Sequence, residues 1–199
     1  AYWGHTFTRD GNSIVFGLKG PEDLDGALYS ISTLGGSPRR IVSGIDSPPT
    51  FSPDGQRMAW LRARHPTPEQ SALMVAGADG SGPRALATVR SPERLAPIFF
   101  GAPDWSPDGT RIACAVVRTA GGPVERGGKV VAFSAEDGTV ETLADPGWRF
   151  AAHVAWLPDG RGCSSWRPPR TSWLPGSGSS RSRGAPPAAS RATSSSTGS

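Results

Sequence analysis

The sequence predicts an all-β protein built of stacked four-stranded antiparallel meanders, and three observations predict it. The phrase "TFSPDGQRMAW" at 50–60 returns as "DWSPDGTRIAC" at 104–114, with looser versions "TFTRDGNSIVF" at 6–16 and "AWLPDGRGC" at 155–163. A recurrence every few tens of residues marks a repeat architecture. Gly and Pro together make about 23% of the chain, well above average usage, as many short strands joined by tight turns require. Between the turns, apolar residues follow the two-residue period of a strand, and long helices are not expected.

The second unit, 46–91, shows each element in order. "SPPTF" is short and extended, because a residue before proline is pushed toward β or polyproline geometry. In Ser52-Pro53-Asp54-Gly55, proline pre-sets φ at the second turn position, aspartate suits the third, and glycine supplies the positive φ that follows. "QRMAWLRA" then places Met58 and Trp60 on one face and Arg57, Ala59 and Leu61 on the other. After the polar loop "RHPTPEQ" comes the apolar run "SALMVAGA", the second turn Asp79-Gly80-Ser81-Gly82, and a closing strand "PRALAT".

The other units share this frame. In the first, "SIVFGLKG", "GALYSISTLGG" and "SPRRIVSG" take the second, third and fourth places, with Gly35-Gly36 standing where Asp79-Gly80 stand in the second. From first-turn Asp to second-turn pair is 25 residues in both units, Asp10 to Gly35 and Asp54 to Asp79. In the third unit it is 29, Asp108 to Asp137, and the excess is expected in the loop "RTAGGPVERGG". First-turn aspartates 10, 54, 108 and 159 lie 44, 54 and 51 apart, close to the ~40–50 residues of a propeller blade. A blade cannot bury both faces alone and must stack on neighbours around an axis.

These residues, above all "FSPDG", "WSPDG" and the paired turns "ADGSGPR" and "LGGSPRR", resemble the WD40-like (PD40) repeat of TolB-type β-propellers over residues 3–163. The resemblance implies a partial β-propeller with blades at about 3–45, 46–91 and 92–148 and a truncated fourth at 149–163. Thr8-Arg9 in place of Ser-Pro, and Leu157 in place of Ser, depart from the pattern. Similar repeats occur in TolB, in the propellers of prolyl-oligopeptidase-type serine peptidases, and appended to bacterial serine/threonine kinases and transcriptional regulators. The likeness is greatest to the appended kind, which implies a binding or sensing role within a larger bacterial protein. It favours a periplasmic or extracytoplasmic location over a cytoplasmic one.

After Cys163 the composition changes to a Ser/Pro/Arg/Gly tail, 164–199, in which 12 of 36 residues are Ser. It reads as disordered low-complexity sequence. A Ser codon TCN read one nucleotide earlier becomes NTC, encoding Leu, Val, Ile or Phe, so residues from about 162 onward are also consistent with translation out of frame. Five arginines of that tail account for the net charge of +4; residues 1–163 carry 16 basic against 17 acidic residues. The body therefore lacks a nucleic-acid footprint. No run reaches the ~18 apolar residues of a membrane span, and the start of the chain reads as a cut through a longer protein.

Motif searches yield no catalytic site: there is no G-x-S-x-G, H-E-x-x-H, G-x-x-x-x-G-K-[ST], H-R-D or D-F-G. No cofactor or metal site is expected either. His5, His65 and His153 stand in different units without metal spacing, and the Asp-Gly pairs lack the acidic series of a calcium loop. Cys114 and Cys163 read as buried free thiols. Trp3, Phe7, Phe51, Trp105 and Trp156 recur beside the first turns and are expected to pack between blades rather than to stack on a ligand. Contacts to a protein or small ligand are expected at the central channel or at the loops "KGPEDLDG", "RARHPTPEQ" and "RTAGGPVERGG", because a rigid scaffold concentrates binding residues on its loops. The chain is read as a non-enzymatic module; the rival reading is the substrate-gating propeller of a serine peptidase, and a third is a TolB-like cell-envelope component.

Overall fold

The computed structural model describes residues 2–20, 25–96, 101–118, 126–148, 151–166 and 179–181, which form strands and turns and no helix. The first sheet runs β1 (Tyr2–Phe7), β2 (Ser13–Leu18), β3 (Gly26–Ser32) and β4 (Arg39–Ile45) in sequential antiparallel order. The second repeats it with β5 (Thr50–Phe51), β6 (Arg57–Ala63), β7 (Gln70–Gly77) and β8 (Arg84–Arg90). The third has β9 (Glu93–Leu95), β10 (Asp104–Trp105), β11 (Arg111–Arg118), β12 (Arg126–Ser134) and β13 (Val140–Trp148). The fourth has β14 (Ala152–Trp156), β15 (Cys163–Trp166) and β16 (Ser179–Arg181). Each sheet is a meander, and together they make a partial β-propeller.

The first turns explain why Ser and Asp recur. In Ser52-Pro53-Asp54-Gly55 the Ser52 hydroxyl donates to Asp54 Oδ1 and accepts the backbone N–H of Arg57 at 3.0 Å. The Gln56 N–H donates to the same carboxylate oxygen at 3.0 Å, and Gly55 takes φ +70°. Ser106, Asp108, Thr110 and Arg111 repeat this network in the third blade. Where the first blade departs from the phrase, Thr8 keeps the chemistry, donating to Asp10 at 2.7 Å and accepting the Ser13 N–H at 3.0 Å. In the fourth, Leu157 has no hydroxyl, yet the backbone turn survives through Leu157 N–H to Gly162 O at 2.8 Å.

The strands of the inner blades are buried on both faces, so the two-residue alternation sorts apolar residues between two layers rather than between core and water. Met58, Trp60, Ala72 and Met74 pack with Val15, Leu28 and Val42 of the first blade. Ala59, Leu61, Leu73 and Val75 pack the opposite way, against Ile112, Cys114, Val131 and Phe133 of the third. Ala113, Ala115, Val117 and Val130 meet Val154 and Cys163 of the fourth. Each junction is thus an apolar core of its own, as radial stacking demands. Cys114 and Cys163 form no disulfide, are buried and lie in different layers; desolvation pushes both thiols up, Cys163 to about 12.

Two features differ from the sequence-based expectation. First-turn spacing grows from 44 to 54 between the second and third units; the additional chain falls mainly before the third first turn. There the inner strand is split, β9 pairing with Val116–Arg118 and β10 with Ile112 and Ala113, both on β11. The loop within 118–128 falls largely outside the described residues. The fourth meander also continues past 163, since Cys163–Trp166 pairs with Ser179–Arg181. The rest of the 164–199 tail, and with it most of the segment suggested to be out of frame, lies outside the described residues.

Candidate functional site: the loop end of the arc

A meander puts its first-to-second and third-to-fourth strand turns at one end, and its second-to-third loops and blade-to-blade connections at the other. The turn end is given over to holding blades together. Gly55 faces Arg9: a Cβ there would come within 2.9 Å of Arg9 Cβ. Gly109 lies similarly over Pro53, and Gly160 over Pro107. Arg9, standing where the other turns have proline, also donates from Nε to Pro53 O at 3.1 Å.

The arginine that closes the repeated phrase reaches forward to the next blade. Arg57 lies 4.7 Å from the ring centroid of Trp105, and Arg111 lies 4.7 Å from that of Trp156. Trp156 is further fixed by Asp104, whose carboxylate accepts its backbone N–H at 2.7 Å and whose carbonyl accepts its Nε1–H at 3.1 Å. Phe51 packs against the layer between the first two blades. Phe51, Trp105 and Trp156 are therefore junction residues; the side chain of Trp3 lies outside the described set, and Phe7 is 56% exposed. The aromatics are legible as packing residues from the sequence, whereas the arginine's role is not, its only signal being its recurrence two residues after the turn glycine in the second and third units.

The loop end is charged. Arg62 pairs with Asp25 of the first blade at 3.0 Å, and Gly44 leaves the guanidinium room, since a Cβ would lie 2.7 Å from Arg62 Cζ. Asp46, half-buried between them, accepts the Ala63 N–H at 2.8 Å; desolvation pushes its carboxyl above the usual range. In the third blade Glu93 pairs with Lys129 at 2.9 Å and Arg118 at 3.3 Å, and the Lys129 hydrogen bond holds its carboxyl low. Arg64 takes φ 50° just before a cis His65-Pro66 bond.

The three histidines are not brought together: His5 lies on β1, His65 in the loop after β6, and His153 is exposed on β14. Among the described residues no group of three or more His, Cys, Asp or Glu side chains is placed to hold a metal ion. No described helix is long and apolar enough to cross a membrane. Parts of the loops at 19–26 and 118–128 lie outside the described residues, so the described loop end comprises the 62–70 loop and the charged pairs on either side of it.

No family model and no curated protein matches the chain. Solved structures do. A protein of Agrobacterium tumefaciens designated TolB is 20% identical, with a TM-score of 0.60, covering 83% of this chain and 53% of that one. The β-propeller domain of the Trilobed protease from Pyrococcus furiosus is 17% identical with a TM-score of 0.55, covering 86% of this chain and 51% of that. Oligogalacturonate lyase from Vibrio parahaemolyticus is 14% identical with a TM-score of 0.59, covering 82% and 44%. The class is therefore a β-propeller, present as an open arc. More particularly its fold is TolB-like, and the chain spans about half the length of the structures it matches.

Proposed function

We propose that this arc is a non-enzymatic binding or sensing module of a larger bacterial protein, contacting a protein or small ligand through its loop end. The carrying observation is the division of labour between the two ends. At the turn end Gly55 on Arg9, Arg57 over Trp105 and Arg111 over Trp156 are blade-to-blade contacts, whereas the loop end, although Arg62–Asp25 also joins two blades there, presents Arg64, His65 and the charged groups around Asp25 and Glu93 on a rigid scaffold. An extracytoplasmic location accompanies this reading, on the resemblance to TolB-type propellers.

Structural likeness also supports a second reading, the gating propeller of a serine peptidase: a prolyl endopeptidase and an acylaminoacyl peptidase match this chain with TM-scores of 0.53 and 0.57. Flanking coding sequence separates the two, since a G-x-S-x-G elbow downstream belongs to the peptidase and a kinase or winged-helix domain upstream to the sensor. For the sensor, a photo-crosslinking residue at Arg64 should capture a partner in the producing cell and one at Gln56 should not. Equal capture from both ends would refute the assignment of binding to the loop end.

A further inference from the structure

Seven Asp-Gly pairs occur in the chain, and such a pair is open to attack on its own side chain because glycine has no Cβ to shield its amide nitrogen. Six of them sit in turns with one common backbone: the glycine has a positive φ, from +67° at Gly160 to +89° at Gly80, and its N–H donates to a carbonyl at the start of the turn at 2.8–3.0 Å. In each, the aspartate Oδ1 accepts the N–H two residues on at 2.9–3.1 Å. Five of these six carboxylates also take a hydroxyl: Thr8 onto Asp10, Ser52 onto Asp54, Ser81 onto Asp79, Ser106 and Thr110 onto Asp108, and Thr139 onto Asp137. The hydroxyls hold those five carboxyls below their ordinary range. The seventh pair's Asp25 is held by Arg62 at 3.0 Å. Asp159 stands apart. Leu157 occupies the place of the serine, and among the described residues the exposed Asp159 carboxylate takes only the Arg161 N–H.

We infer that Asp159-Gly160 is a site of spontaneous covalent modification, closing to a succinimide and reopening as isoaspartate, while hydroxyls guard the other turns. In ring closure the Gly160 amide nitrogen attacks Cγ of the protonated Asp159 carboxyl. The C–N bond forms as the Cγ–OH bond breaks, and the amide proton leaves with the hydroxyl as water. Water then adds back to one of the two ring carbonyls. Release of the nitrogen from Cγ restores aspartate, and its release from the main-chain carbonyl carbon leaves isoaspartate. No oxidant, reductant or further reactant enters. A hydroxyl donating to the carboxylate opposes the first step twice: it favours the ionised form, which has no OH to expel, and it fixes the carboxyl in one orientation. Because the backbone is common to the six turns, the hydroxyl is the difference that remains. The product lengthens by one backbone atom a turn whose Gly160 lies over Pro107 of the third blade.

The test incubates the full chain in heavy-oxygen water. Each passage through the ring replaces one oxygen with a solvent oxygen, which mass spectrometry locates in fragments cut in ordinary water. In the folded protein Asp159 should gain label ~5-fold or more faster than Asp54 and Asp108, the order of effect of a hydrogen bond to a charged group. In denaturant the three rates should converge, since the turns are then gone. Leu157→Ser should slow labelling at Asp159. Ser52→Ala should speed it at Asp54 and leave Asp108 as it was; the fourth turn shows that the backbone closes without the hydroxyl. Equal rates at the three aspartates in the folded protein overturn the inference, as does a difference that persists in denaturant or a rate at Asp159 indifferent to Leu157→Ser. Should Leu157→Ser not fold, Ser52→Ala decides: an unchanged rate at Asp54, or acceleration spread over all the pairs, contradicts a guard that acts through the hydroxyl.

Discussion

The first and third blades share the first-turn network and the meander order, yet their upstream faces have opposite fates. Trp105 and Ile112 are buried at 5% and 0% exposure, whereas Phe7 is 56% exposed and Ile14 half-buried. Nothing inside either sheet accounts for the difference; the presence of a preceding blade does. Blade stability therefore resides in the junctions, as in other quasi-one-dimensional repeat proteins.

Substitution at equivalent positions should break this comparison most visibly in the core. Trp60 is 1% exposed and donates its Nε1–H to Gly44 O at 3.2 Å, so Trp60→Ala should cost about 3–5 kcal/mol in denaturant unfolding. Phe16→Ala, at the matching place on the open face, should cost less, about 1–2 kcal/mol, because the ring is only partly removed from water. Equal costs would mean that the junction is not what buries the residue.

Turn glycines give the next largest effect. Gly11 and Gly55 share φ +70°, so the backbone strain of an alanine is the same at both. Only at Gly55 would the Cβ meet Arg9, at 2.9 Å; Gly55→Ala should exceed Gly11→Ala by about 1–2 kcal/mol, the cost of overpacking. Smaller again is the cation over the ring. Arg57→Ala should cost about 1 kcal/mol, whereas Ser13→Ala should stay within about 0.5 kcal/mol.

The smallest effect is on pH dependence. The Ser106 hydroxyl, the Thr110 N–H and the Thr110 hydroxyl hold the Asp108 carboxyl down to about 2, from 3.8. A carboxyl depressed in the folded state adds stability above its unfolded pKa and loses it as pH falls through the folded one. That contribution should be complete above pH about 4 and gone near pH about 2, and Asp108→Asn should flatten this part of an acid titration. Asp104 and Asp46 act oppositely, since burial raises both and protonation favours the fold as pH falls.

Much of this fold is legible in the sequence because the turn chemistry is local. Ser, Pro, Asp and Gly at consecutive positions specify the turn without reference to distant residues, and their spacing reveals the blades. The split inner strand of the third blade was not legible: β9 and β10 are joined in one sheet only by their shared partner β11, and nothing within 93–105 encodes that pairing. Nor were the roles of Arg57 and Arg111, because a cation over a ring in the next unit is visible only once the order and lean of the blades are known. At the loop end the pairs Arg62–Asp25 and Glu93–Lys129 join residues 37 and 36 apart in sequence, beyond the reach of motif spacing. That end lacks a repeated pattern, so its chemistry is read from geometry alone.

Spin labels on cysteines introduced in pairs among Asn12, Gln56, Thr110 and Arg161, each just past a first turn, test the open arc most directly. Successive pairs should give short and similar distances, and Asn12 with Arg161 the longest of all. A distance from Asn12 to Arg161 as short as that between neighbours would mean a closed four-bladed ring, and unrelated distances would mean that the four meanders are not stacked in sequence.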